Sequence, residues 1–185
     1  MTLRKPKLLH FDELLNLALR ALGGRAHSAG ELREKLRRRA EQAADVDAVL
    51  AKLKEIGYLD DRRFAEAYAA ARLESEGFGK ARVLGDLRRH RVAPQLAQQV
   101  TDKAYQDTSE TDLIESFLKR KYRGKRLGPF LAEPKNLAGA YRRLRYAGFS
   151  AGASIRVLKL YAKQPEALDA LESDAPESGE QGPAE

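Results

Sequence analysis

The stretch Gly57-Tyr58-Leu59-Asp60-Asp61-Arg62-Arg63-Phe64 decides how this chain is read. Before it, apolar residues recur at three and four positions (Val46, Val49, Leu50, Leu53, Ile56), the period of an amphipathic helix. Gly57 stops that helix, as glycine does at a left-handed C-terminal turn. After it, Phe64, Ala65, Tyr68 and Ala71 start a new helical stripe. Asp60 and Asp61 therefore stand where a helix presents unpaired N–H groups and the positive end of its dipole. An Asp at that position accepts a backbone hydrogen bond and contributes about 1 kcal/mol. Tyr58 and Leu59 can pack on Phe64 or Ala65 as a hydrophobic staple. The pair needs no catalytic role. Adjacent acids point apart, and no His, Cys or third acid lies at ligand spacing.

Helix after helix extends in both directions, with almost no strand signal. The first runs over about Phe11 to Leu22 and ends at Gly23-Gly24. The second starts at Ser28, where Ser28-Ala29-Gly30-Glu31 fits a capping box. Asp45 is a good N-cap for the third. The fifth covers about Lys80 to His90, and the sixth has Pro94 near its first position. The seventh follows Ser109 and buries Leu113, Ile114, Phe117 and Leu118. A loop over 123–135 precedes the eighth, about Asn136 to Ala147, and the ninth begins near Ser150.

LREKLRRRA at 32–40, VLGDLRRHRV at 83–92 and AYRRLRYAGF at 140–149 resemble one another. In each, a Leu (Leu36, Leu87, Leu144) precedes an Arg (Arg37, Arg88, Arg145), and a break follows. This recurrence predicts an all-α fold of tandem three-helix, helix-turn-helix-like repeats stacked into an elongated curved body. A single nine-helix globule is the alternative. The expected divisions are an N-terminal extension with the first module over 1–57, a second module over 58–107, a third with an inserted basic loop over 108–163, and an acidic disordered tail over 164–185.

Charge is uneven. Residues 1–164 hold all 34 Lys and Arg against 20 acids, a net +14, and the tail holds seven acids and no base. So basic a body points to a polyanionic partner, nucleic acid or an acidic protein surface. The tail either solubilises the chain or competes for the basic body. The chain has no Cys, and its three His are scattered, so no metal or cofactor is expected. No phosphate loop is present, and an enzyme is not expected. No apolar run is long enough to span a membrane, and no signal segment opens the chain. The expected location is cytoplasmic. Candidate partner-binding residues are Arg33, Arg37, Arg38, Arg88, Arg89, Lys119, Arg120, Arg142, Arg143 and Arg145. Tyr122 among them could stack on a base or sit at the rim of the core.

RAHSAGELREKL at 25–36, GYLDDRRFAEAY at 57–68 and RYAGFSAGASIRVLK at 145–159 resemble the RecX family, small regulators of the RecA recombinase. The resemblance runs from about Leu14 to Leu160. It implies tandem three-helix repeats and structural roles for Ser28, Glu31, Gly57, Tyr58, Asp60, Asp61, Phe64, Gly148 and Phe149. It also implies binding to RecA and its filament on single-stranded DNA, weak non-specific binding to single- and double-stranded DNA, and a monomer. Family members tend to place Gly where this chain has Ala40 and Arg91, and only Gly148 keeps it. The first two breaks are therefore expected to use another geometry. A sequence-specific helix-turn-helix DNA-binding protein is the rival reading.

Overall fold

The computed structural model describes residues 8–163 and 165–168. Among these residues it contains ten α-helices and no strand: α1 Phe11–Gly24, α2 Ala29–Arg37, α3 Ala43–Glu55, α4 Asp61–Ala71, α5 Lys80–Arg89, α6 Pro94–Tyr105, α7 Glu110–Lys121, α8 Leu127–Leu131, α9 Pro134–Tyr146 and α10 Ala151–Lys159. A π-helical turn, Arg72–Glu76, follows α4, and a 3-10 turn, Pro165–Leu168, follows α10. The chain divides into two units, residues 1–72 with 83–106 and residues 73–82 with 107–185.

In the first unit, Leu14, Leu32, Leu36, Val46, Val49, Leu50, Leu53 and Leu59 form one buried cluster. The helical stripe of α3 is thus correct up to Leu53. Ile56 departs from it: the helix ends at Glu55, and Ile56 lies past the last turn, 44% exposed. On α4 the buried residues are Ala65 and Ala69, and Ala71 is exposed. In the second unit, Ile114, Phe117, Leu118, Leu131, Leu137, Leu144, Phe149, Ile155, Leu158 and Leu168 form the core. Phe117 and Phe149 meet edge to face with ring centroids 5.5 Å apart. The packed body reaches Leu168, and the rest of the acidic tail lies outside the described residues.

Other boundaries also shift. The third helix starts before Asp45, which sits in its first turn, and Gln42 at the N-cap makes no side-chain cap bond. The 123–135 segment is not a bare loop: it holds α8, anchored by the fully buried Leu131. Pro134 then opens α9 two residues earlier than the sequence suggested.

The GYLDD acids serve two helices. Asp60 is the N-cap of α4 and accepts from Arg62 N at 2.9 Å and Arg63 N at 3.0 Å. These backbone bonds, chiefly from Arg63, hold its carboxyl below the usual range. Asp61 reaches elsewhere: its Oδ1 accepts from Ala29 N, the first residue of α2, at 2.6 Å. Gly57 adopts φ 73°, a left-handed conformation that glycine enters without a Cβ penalty. Leu59 is buried, whereas Tyr58 is 60% exposed and does not staple the helix.

One joint recurs in each unit. In the first, the start of α2 docks on the turn after α5. Ser28 Oγ accepts from Glu31 N at 3.0 Å and donates to the His90 carbonyl. A methyl on Gly30 would overlap the carbonyl oxygen and Cβ of Arg91. In the second, Gly79 N donates to the Ala147 carbonyl at 2.8 Å, and Ala81 N to the Gly148 carbonyl at 3.3 Å. A methyl on Gly79 would overlap Gly148. In the second joint unpaired backbone donors at one helix start meet unpaired acceptors at another helix end, and in the first the Ser28 hydroxyl takes the donor's place. The receiving turns match bond for bond. Arg91 N donates to Arg88 and Val92 N to Leu87, as Gly148 N does to Arg145 and Phe149 N to Leu144. Arg91 has φ 57° and Gly148 φ 87°, so the second break keeps the left-handed turn without glycine, against expectation. The break at Ala40 differs, as expected. There Leu9 N donates to Arg39 and Glu41 N to Leu9, closing an isolated bridge between Leu9 and Ala40.

Candidate partner-binding surface

Helix α2 fixes the first group of arginines. Leu32 and Leu36 are fully buried, which turns Arg33, Arg37 and Arg38 to solvent. Arg33 pairs with Asp47 on α3, and Arg38 with Glu34 at 3.3 Å. Arg37 is exposed and makes no side-chain hydrogen bond or ion pair among the described residues. On α5, Leu87 is fully buried and Arg88 is exposed in the same unpaired way. Arg89 pairs with the buried Asp86.

In the second unit the expected cations split by role. Lys119 pairs with Glu115 at 3.3 Å. Arg120 donates to the carbonyls of Ser75, at 3.0 Å, and Glu76, and so holds the π-helical turn. Arg145 donates to the Phe149 carbonyl at 2.5 Å and closes the turn after α9. These two arginines are structural in the first instance. Arg142 is exposed and unpaired among the described residues, and Arg143 donates to the Tyr122 hydroxyl at 3.4 Å.

Five of the ten candidates lie in the first unit and five in the second. Within the first unit, the structure gathers Arg38 and Arg89 with four cations outside the candidate set. Arg20, Arg25, Lys35 and Arg91 join them around a groove of about 640 Å³ in the first unit. Glu31 and Glu34 also line it, so the groove keeps a cationic excess. Arg20 and Arg25 belong to α1 and the turn after it. No local periodicity links them to α5; only the docking of α2 on the α5–α6 turn does.

Glu31 organises the floor of this groove. It does not complete the capping box by reaching back to Ser28. Its carboxylate instead accepts from Arg25 at 3.1 and 3.2 Å and lies 2.8 Å from Nδ1 of His90. Those partners outbid the Ser28 N–H because they carry, or can carry, full charge. Burial pushes the Glu31 carboxyl up, but the bonds from Arg25 and His90 outweigh it and hold the group at about 2. His27 is buried, and burial, with the Arg25 charge, lowers its pKa below 6.5. Its Nδ1 lies 3.3 Å from Glu31, off the line of a hydrogen bond, and finds no other partner. The His90 ring packs edge-on against Tyr68 at 4.8 Å and Phe64 at 5.6 Å.

A second, mostly apolar concavity of about 1020 Å³ lies in the same unit, lined by Leu19, Leu22, Ile56, Tyr58, Phe64 and Tyr68 among others. Among the described residues there is no cluster of three metal-ligating side chains, and no helix is long and apolar enough to cross a membrane.

Comparison with known proteins places these elements. Residues 15–53 match the family model described as RecX, first three-helix domain, and residues 60–100 match RecX, second three-helix domain. The regulatory protein RecX of Trichlorobacter lovleyi is 33% identical over 132 residues, which cover 71% of this chain and 80% of the relative. The chain belongs to the RecX family. The RecX of Halorhodospira halophila is 40% identical over 96 residues, 52% of this chain and 59% of that protein. The RecX of Deinococcus radiodurans is 35% identical over 109 residues, 59% of this chain and 52% of that protein. The crystal structure of RecX from Lactobacillus salivarius shares the fold, with a TM-score of 0.59 over 86% of this chain and 97% of that one, at 18% identity. The matched segments begin within α1 and at the N-cap of α4, so the two family domains straddle the GYLDD joint.

Proposed function

We propose that this chain is a non-enzymatic regulator that binds RecA and its filament on single-stranded DNA and limits filament growth. Lower ATP turnover, strand exchange and filament-stimulated repressor cleavage follow from that action. The observation that carries the reading is the match over 80% of a relative named a regulatory protein RecX. The chemistry of the surface supports it. A cationic groove, with Arg37, Arg88 and Arg142 unpaired among the described residues, suits acidic protein surface or phosphates. The proposed mechanism is occupancy: the cations hold the chain, as a cytoplasmic monomer of three-helix modules, against filament protomers. Binding to naked DNA is weak, salt-sensitive and without a preferred sequence.

The test is ATP hydrolysis by cognate RecA on single-stranded DNA, titrated with this protein well below one per RecA. Inhibition at such ratios supports the reading. Inhibition only once the DNA is fully coated refutes it. Tight binding to one duplex sequence at fixed salt would favour a helix-turn-helix DNA-binding protein instead.

A further inference from the structure

The segment from the end of α7 to α9 sets a run of cations beside two aromatic rings, Tyr122 and Phe130, that pack on the edge of the second unit's core. Residues 119–126 hold six cations and no acid. Arg120 is committed to the π-helical turn and Lys119 to Glu115. Lys121, Arg123 and Arg126 are exposed and make no ion pair among the described residues. Inside this run stands Tyr122, the C-cap of α7, and its ring lies 4.9 Å from that of Phe130 on α8, tilted by 48°. Both rings are only partly buried. Their support is rigid: Leu131 is fully buried beside Phe130, and Asn136 Nδ2 donates to the Phe130 carbonyl at 3.0 Å. Each ring carries a cation. Lys125 Nζ lies 4.1 Å from the centre of Phe130, and the Arg143 guanidinium lies 5.7 Å from that of Tyr122.

We infer that Tyr122 and Phe130, bracketed by Lys125 and Arg143, form a base-stacking platform for single-stranded nucleic acid. A single strand offers base faces beside its phosphates, and proteins meet it with aromatic rings set among cations. A duplex hides its base faces, and an acidic protein surface needs the cations but gives two part-exposed rings nothing to stack on. The inference deepens the proposed function, because it says how this chain would touch the strand inside a RecA filament.

The test needs no RecA, so its failure and the failure of the RecA reading are separable. Fluorescence anisotropy is measured with labelled oligo(dT), with an abasic strand of equal length and charge, and with polyglutamate as competitor. Stacking on even one base predicts oligo(dT) at least about five-fold tighter than the abasic strand. That ratio collapses towards one in the Tyr122→Leu, Phe130→Leu double variant, whose affinity for the abasic strand stays unchanged. Tyr122→Phe, which keeps the ring, keeps the ratio. Equal affinity of the unaltered chain for the two strands overturns the proposal, as does a full ratio in the folded double variant. Competition by polyglutamate as strong as by oligo(dT) also overturns it, in favour of an acidic protein partner. If the ratio holds and RecA turnover is untouched, the platform stands and the RecA reading fails. The opposite pair of results removes the platform alone.

Discussion

Arg91 is held at φ 57°, a conformation that costs an L-residue about 1–2 kcal/mol because its Cβ crowds the following carbonyl. Changing Arg91 to Gly removes that cost. It also frees the unfolded chain, which returns roughly 0.4–1 kcal/mol to the unfolded side. The exposed ion pair of Arg91 with Glu34, at 3.9 Å, is lost too, a change worth about 0–1 kcal/mol. Arg91→Ala loses the same pair but keeps the Cβ, so comparison of the two variants isolates the backbone. Arg91→Gly should be more stable than Arg91→Ala by about 1 kcal/mol. The assay is urea unfolding followed by circular dichroism, with slopes checked because two units can unfold separately. The equivalent position gives the opposite sign. Gly148→Ala adds the same backbone strain and drives a methyl into the Arg82 backbone, so it should cost about 2–5 kcal/mol. An Arg91→Gly chain no more stable than Arg91→Ala would refute the left-handed turn and, with it, the equivalence of the two joints.

Three other expectations come from the same contacts. Asp61→Ala should cost about 1.5–3 kcal/mol through the lost charged bond to Ala29 N; in an Ala29→Pro background, where the donor is gone and proline suits the first helical position, that cost should vanish, and full additivity in the double-mutant cycle would show that Asp61 acts elsewhere. Stability should fall in acid through two groups whose folded pKa is depressed: His27 contributes fully above its unfolded 6.5 and loses stability below it, and Glu31 contributes above 4.5 and loses it as the pH approaches about 2. Glu31→Gln should flatten the lower part of that profile, and an unchanged profile would contradict the role given to Glu31. Finally, Arg37→Ala with Arg88→Ala should weaken filament binding more than Arg33→Ala with Arg89→Ala, because the latter two are already held by Asp47 and Asp86; equal losses in a binding titration would show that pre-existing pairs do not matter.

Local signals carried the fold. Leu36, Leu87 and Leu144 are fully buried where the repeated Leu-Arg pattern put them, and Ser28, Asp60, Ser109 and Ser150 cap the helices that follow. What failed to show were contacts between residues far apart in the chain. Asp61 serves a helix 32 residues away, and Glu31 gives up a local backbone bond for His90, 59 residues on. Arg91 tolerates a glycine-like turn because α2 docks on it, which no local propensity encodes. The five residues of α8 look like a loop, since Gly128 and Pro129 interrupt them, until Leu131 is seen to be buried. The candidate surface was legible as charge but not as shape. The charge pattern pointed to the runs that hold Lys35, Arg38, Arg89 and Arg91, but not to Arg20 and Arg25, which reach the same groove from α1 and the turn after it.

The most direct measurement compares the affinity of this chain for a preformed RecA filament on single-stranded DNA with its affinity for the same DNA without RecA, at one salt concentration. The expected result is markedly tighter binding to the filament, with protein contacts adding to phosphate contacts. Equal affinity, or binding that RecA blocks, would contradict a regulator that acts on the filament.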